Sequence, residues 1–196
     1  NNNSLSAITA KPSGLSGGSM NLISTQTASS SSTISFTSGI DSTYDEYVFK
    51  FYDIHPATDS ANFQVNFRDG GTDYDAVKTT TAFFAFHQAS NGSRNLAYST
   101  ASDLAQSTGF FKIMTTMGND NEGCGVGTLR IFNPSSTTFV KHFMSDCNNW
   151  HSNDSNATVN WRAAGYCNTT NVIDGAQFKF DNGNIDSGVI KLYGVS

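Results

Sequence analysis

Residues 41–59 read DSTYDEYVFKFYDIHPATD, and this stretch decides the fold. Tyr47, Phe49 and Phe51 alternate with Val48, Lys50 and Tyr52. At the period of two that a β-strand imposes, one face is wholly aromatic and the other half apolar. Such a strand belongs in the middle of a sheet. His55-Pro56 predicts its end, because proline has no N–H for the ladder and biases the preceding residue toward extended or turn geometry. A turn over Ala57-Thr58-Asp59 leads into residues 62–69, NFQVNFRD, where Phe63, Val65 and Phe67 oppose Gln64, Asn66 and Arg68. Read as neighbours, these two strands share one aromatic face that needs a second layer.

Working outward, strand signals recur at residues 20–27 and 33–37 before this pair. After it they recur at 79–88 (TTTAFFAFHQ), 110–117, 126–133 (VGTLRIFN), 138–145 (TFVKHFMS), 159–167 (VNWRAAGYC), 176–181 and 188–195. The turn Asn133-Pro134-Ser135-Ser136 predicts a hairpin between two of them. Asp69-Gly70-Gly71 is a tight-turn signal, and residues 181–186, DNGNID, read as a hairpin loop. Residues 90–107 offer only Leu96, Tyr98, Leu104 and Ala105 as anchors and are expected to be a loop. Residues 147–155 are polar apart from Trp150. Roughly ten or eleven strands at this spacing predict an all-β fold, an antiparallel β-sandwich with jelly-roll connections.

A chain of 196 residues suits one such domain. Residues 1–18 contain too little apolar material to join a core and are expected to form an N-terminal arm, leaving 19–196 as the sandwich. With 14% charged residues and a net charge of −5 there is no basic stripe to neutralise phosphates, so nucleic acid is not an expected partner. No apolar run approaches the roughly 20 residues of a membrane-spanning helix, and residues 1–5 lack a signal-peptide pattern. Cys124, Cys147 and Cys167 are odd in number and read as free thiols, with Cys147 to Cys167 the one bridge worth considering.

No catalytic signature is present. Glycoside hydrolysis needs two carboxyl groups facing one sugar bond. Glu46 and Glu122 are the only glutamates, and Asp45 and Glu46 would face opposite ways on a strand. The Asp- and Asn-rich segments 69–75, 119–123 and 181–186 could offer oxygen ligands to calcium, but the same residues are what tight turns require. The four histidines and three cysteines show no zinc-ligand spacing, so no metal or cofactor is expected. His142 shares a strand face with Val140 and Met144, which predicts a buried histidine. There is no G-x-S-x-G elbow, and the glycines of 123–127 do not open a helix. One candidate binding site stands out. Trp150, His151, Trp161 and Tyr166 could form an aromatic platform for sugar rings, with Asn148 and Asn149 to bond hydroxyls. The competing reading, that these aromatic residues are core, carries more weight.

In combination, LISTQTASSSSTISFTSGIDSTYDEYVF, IHPATD, DLAQSTGF, GTLRIFNPSSTTFVKHF and GNIDSGVIKLYGV resemble a recurrent type of virion structural protein of tailed bacteriophages, particularly those of marine bacteria and cyanobacteria. The resemblance spans about residues 22–195. It implies a non-enzymatic outer capsid decoration, appendage or tail-fibre-associated subunit that is assembled in the host cytoplasm and released by lysis. It further implies attachment to other capsid or tail proteins through the arm and a homo-oligomer, by analogy a trimer. The alternatives are a fibre module recognising a host-surface glycan and, more distantly, a glycan depolymerase. The resemblance carries no catalytic residues.

Overall fold

The computed structural model describes residues 20–152 and 156–195; the expected arm over 1–18 lies outside the described residues. Twelve strands follow in order: β1 (Met20–Ser31), β2 (Ile34–Phe36), β3 (Glu46–Pro56), β4 (Ala61–Arg68), β5 (Lys78–Gln88), β6 (Arg94–Tyr98), β7 (Phe111–Met117), β8 (Gly125–Phe132), β9 (Lys141–His151), β10 (Ala157–Cys167), β11 (Gly175–Phe180) and β12 (Ile185–Val195). A single 3-10 turn at Thr100–Ser102 separates β6 from β7, and no α-helix occurs among the described residues.

Pairing is antiparallel throughout and sorts the strands into two layers. The larger runs β1-β12-β3-β8-β9-β10-β5-β6, and the smaller runs β7-β4-β11-β2. The layers touch in the ladder only where Met117 of β7 meets His151 of β9. Within this arrangement β2 pairs with β11, β3 with β8, β4 with β7 and β5 with β6. That nesting is one long antiparallel ribbon wrapped on itself, which is the jelly-roll connectivity the sequence predicts.

β3 occupies the central place its two faces demand, between β12 and β8. Tyr47, Phe49 and Phe51 are buried with Phe63 and Phe178. Phe178 of β11 sits at the middle of the cluster, its ring centroid 5.1 Å from Phe49, 5.4 Å from Phe51 and 5.9 Å from Phe63. A second cluster joins Phe67 of β4, Phe111 of β7 and Phe143 of β9, with Phe111 and Phe143 only 4.6 Å apart. Each such pair contributes about 0.5–1.5 kcal/mol beyond the area it buries, so these rings weld the two layers together.

Several expectations need correction. β3 and β4 are not sheet neighbours: the turn after Pro56 carries the chain to the opposite layer, and Phe51 meets Phe63 face to edge at 5.6 Å. The aromatic face of one strand is the second layer for the other. Segment 181–186 likewise crosses between layers rather than closing a hairpin, because β11 and β12 belong to different sheets. Asp69-Gly70-Gly71 opens another such crossing. Arg94–Tyr98, expected as loop, is an edge strand paired to β5 whose exposed face needs no apolar alternation. Two further corrections concern β9.

The strand β9 runs on to His151, well past the expected end. Its buried positions are Lys141, Phe143, Ser145, Cys147 and Asn149, so the period-two pattern is present in burial but almost absent in hydrophobicity. Lys141 is satisfied by donating from Nζ to the Thr169 carbonyl at 3.0 Å, and Asn149 by donating from Nδ2 to Thr115 O at 2.9 Å. His142 faces outward and is exposed, 6.1 Å from the Tyr166 ring, not buried as expected. The expected hairpin around Asn133–Ser136 matches the structure, with Ile131 opposite Phe143.

One irregularity in β3 depends on a glycine. A register shift follows Phe51, and Asp53 takes φ +50°. Opposite it stands Gly188, at φ +129°, where a Cβ would come within 2.9 Å of the Asp53 carbonyl oxygen. Only glycine fits that approach.

Candidate functional site

The inner face of the large sheet is wider than the small sheet that covers it. β7 is the last strand of the small sheet, and beyond it the inner face of β10 and of the C-terminal half of β5 is bordered, among the described residues, by Ser99, Ala101 and Ser102 around the turn at Thr100–Ser102. A cleft of about 420 Å³ opens there, within the roughly 300–1,000 Å³ range of small-molecule sites. Its wall is aromatic. Trp161 of β10 stacks on Phe84 of β5 with centroids 5.5 Å apart and planes 10° apart, and Phe84 stacks on Phe86 at 6.3 Å. The strand period dictates this row, because Phe84 and Phe86 are two residues apart and Trp161 is the cross-strand partner of Phe84.

The rim is polar. β7 contributes Lys112, Thr115 and Thr116, while Gln88 and His151 come from the ends of β5 and β9. Trp161 Nε1 donates to the Lys112 carbonyl at 3.2 Å, tying β7 to the cleft floor. Thr116 has φ +46°, a left-handed conformation that costs a β-branched residue about 1–3 kcal/mol. Its surroundings hold it there. Asn62 Oδ1 accepts from both Thr115 Oγ1 and Thr116 N at 3.0 Å, and Ser152 N donates to the Thr116 carbonyl at 3.0 Å. His151 Nδ1 donates to the Ser152 carbonyl, which leaves Nε2 without a partner among the described residues.

The four residues of the expected sugar platform are not brought together. Trp161 and His151 share the cleft, with Trp161 only 3% exposed on its floor. Trp150 lies on the other face of β9, where its ring packs against Gly118 and Gly123; a Cβ on either would come within 2.3 or 2.7 Å of it. Tyr166 lies on that outer face too, opposite His142 and far along the strand. Asn148 spends its amide on Thr158 Oγ1 and the Val159 carbonyl. Phe84, Phe86, Lys112 and Thr116 were not singled out by sequence. The FFAF of residues 83–86 places Phe84 and Phe86 on one strand face, but nothing local says that the face is left uncovered.

The other candidates disperse. Glu46 binds Arg130, Oε1 to Nε 3.3 Å, at the end of β3 that pairs with Phe132. Glu122 lies just before β8, whose Gly125 pairs with Ile54 at the other end of β3. At about 3.3 Å per residue the two ends are roughly 25 Å apart, too far for paired carboxylates. Cys124 lies 3.9 Å from Asp53, and burial followed by the Asp53 charge pushes its thiol up, the reverse of what a nucleophilic cysteine needs. Cys147 and Cys167 are free and stand opposite Trp161 and Lys141 respectively, roughly 20 Å apart along the ladder, which rules out the bridge considered from sequence. Among the described residues no three His, Cys, Asp or Glu side chains converge as a metal ion would require.

No protein family, no curated protein and no solved structure matches the chain.

Proposed function

We propose that this chain is a non-enzymatic structural subunit of a bacteriophage virion, an outer capsid decoration, appendage or tail-fibre-associated protein that works as a homo-oligomer. The observation that carries the assembly role is the outer face of the large sheet. Phe83 is 45% exposed, Leu96 71%, Tyr98 56% and Met144 56%. Phe83 and Tyr98 are direct cross-strand partners, and Arg162, bound to Asp146 at 2.7 Å, stands beside Phe83. A mixed patch of aromatic, Met and Arg side chains is the composition of a protein interface. The occupant we assign to it is a neighbouring copy of the chain, with three copies as the closed form. Residues 1–18 are assigned to attachment on the particle.

Gold-labelled antibody raised against the purified chain tests the location. Regular labelling of intact particles on the shell or tail is expected, and unlabelled particles from a lysate that contains the chain would end the reading. Sedimentation tests the assembly: Phe83→Ser with Leu96→Ser is expected to convert oligomer to folded monomer, and a monomeric parent chain would remove the interface.

A second reading, recognition of a host-surface glycan, is favoured by the aromatic wall and polar rim of the cleft between β7 and β5. A depolymerase is not favoured, since Glu46 and Glu122 lie at opposite ends of β3.

A further inference from the structure

We propose that the free edge of β6 is a second contact between copies, pairing antiparallel with β6 of another copy across a two-fold axis that passes between the two Leu96 residues. This goes beyond the outer-face contact assigned above. A two-fold contact cannot lie inside a closed three-fold ring, so the edge joins copies of neighbouring rings while the face closes each ring.

The main chain is the first ground. β6 is the last strand of the large sheet and pairs only with β5. At the two ends of that ladder, Gln88 N donates to the Ser93 carbonyl at 3.0 Å and Ser99 N to the Ala82 carbonyl at 2.9 Å. Antiparallel bonding repeats at every second residue, so Ser93, Asn95, Ala97 and Ser99 face β5. The N–H and C=O groups of Arg94, Leu96 and Tyr98 point away from it and have no partner among the described residues. Setting Leu96 opposite its own counterpart also sets Arg94 opposite Tyr98. Each of the three pairs then exchanges both of its bonds, about six in all.

The side chains suit the same register. Arg94, Leu96 and Tyr98 lie on one face of the strand and are all exposed. Tyr98 OH donates to Asp103 Oδ2 at 2.6 Å, which fixes a carboxylate at the Tyr98 end, while at the other end Arg94 Nη1 donates to Asn91 Oδ1 at 3.1 Å. Antiparallel pairing brings each arginine to the carboxylate of the other copy, and Leu96 onto Leu96. Parallel pairing would set arginine beside arginine.

The other strand edges are blunted, and this one is not. β1 has a register shift between Leu22 and Ser24 and turns left-handed at Ser30, β2 has three residues, and β7 carries Lys112 and the left-handed Thr116. Bulges, shortness and lysine are devices that discourage edge pairing. β6, with the sequence RNLAY, has no proline, lysine or register shift. The small sheet stops at β7, so the β6 edge projects beyond the second layer and two copies can meet there.

The test uses the whole chain. The Cα atoms of a hydrogen-bonded pair stand about 5.5 Å apart, within disulfide reach, so Leu96→Cys is expected to give a covalent pair on mild oxidation. Arg94→Cys, which faces Tyr98, is expected to give no more than the parent chain, whose half-exposed Cys124 sets the background. Leu96→Pro removes an N–H that points away from β5, and is expected to halve the sedimenting mass with melting unchanged. An oligomeric parent whose mass Leu96→Pro leaves unchanged, together with cross-linking of Leu96→Cys no greater than that of Arg94→Cys, would overturn the edge contact and spare the face contact. A monomeric parent chain would overturn both.

Discussion

Two halves of one strand face meet opposite fates. On the inner side of β5, Lys78, Thr80 and Ala82 are buried, while Phe84, Phe86 and Gln88 on the same side are half-exposed. Hydrophobicity predicts the reverse order. The difference is what lies above: the first half is covered by the segment entering β7, where Lys78 Nζ donates to the Gly109 carbonyl at 2.8 Å, and the second half opens into the cleft. A polar residue at a covered position must find a partner, and an aromatic residue at an uncovered one is available to a ligand. The covered end carries stability, and the uncovered end carries the candidate function.

The strongest way to break this contrast is to remove one ring from each side. Phe178→Ala, at the centre of the buried cluster, is expected to cost about 3–5 kcal/mol in urea denaturation, whereas Phe86→Ala in the cleft should cost roughly 1 kcal/mol. Equal losses would mean that the cleft wall is core.

The covered end is sharpened by Lys78. Burial pushes its ammonium down to about 8 from the ordinary 10.5, with Cys167, Asp75 and Asp69 pulling it partly back. Between pH 8 and 10.5 the unfolded chain therefore holds a proton that the folded chain does not. Stability from this group rises with pH across that window, and below pH 8 the cost of the buried charge is fully present. Lys78→Met is expected to be neutral or stabilising by about 1–3 kcal/mol at pH 7, with the advantage fading toward pH 10.5; Lys78→Ala leaves a cavity and destabilises. The Cys167 thiol, raised to about 12 by burial, weakens stability at alkaline pH in both proteins, and because it is coupled to Lys78 the difference between them reads the lysine together with its coupling to that thiol. A pH-independent difference between wild type and Lys78→Met would show that the lysine is not desolvated.

The smallest effect is expected on the outer face. Arg162 and Asp146 form a bond of 2.7 Å with both side chains about half exposed. Arg162→Ala should change chain stability by less than about 1 kcal/mol, and less still in high salt. A larger loss in the oligomer than in the monomer would place the pair inside the proposed interface.

How much of this was legible follows from range of interaction. The alternation of Tyr47, Phe49 and Phe51, and of Phe63, Val65 and Phe67, is local information, and it fixes strands, buried faces and the need for two layers. The hairpin at Asn133–Ser136 is equally local. β9 was only half legible because Lys141, Ser145, Cys147 and Asn149 are buried there, each satisfied by a hydrogen bond or packed as a small side chain, so the hydrophobic period is lost while the steric period persists. Of the sugar platform, Trp161 and His151 were found because they are aromatic or titratable in an unusual context, while Trp150 and Tyr166 shared that signal without sharing the site.

The residues by themselves determined that this chain is a stack of amphipathic strands with an aromatic interior, because side-chain direction along a strand depends only on position modulo two. Whether β3 and β4 lie beside or across from each other, which part of β5 is roofed, and that the edge of β7 comes to line a cleft with Phe84 and Phe86 were decided by the wrapping of the ribbon. Those are contacts between segments distant in sequence, and the free energy that selects them comes from the packing of whole layers, which no single stretch encodes.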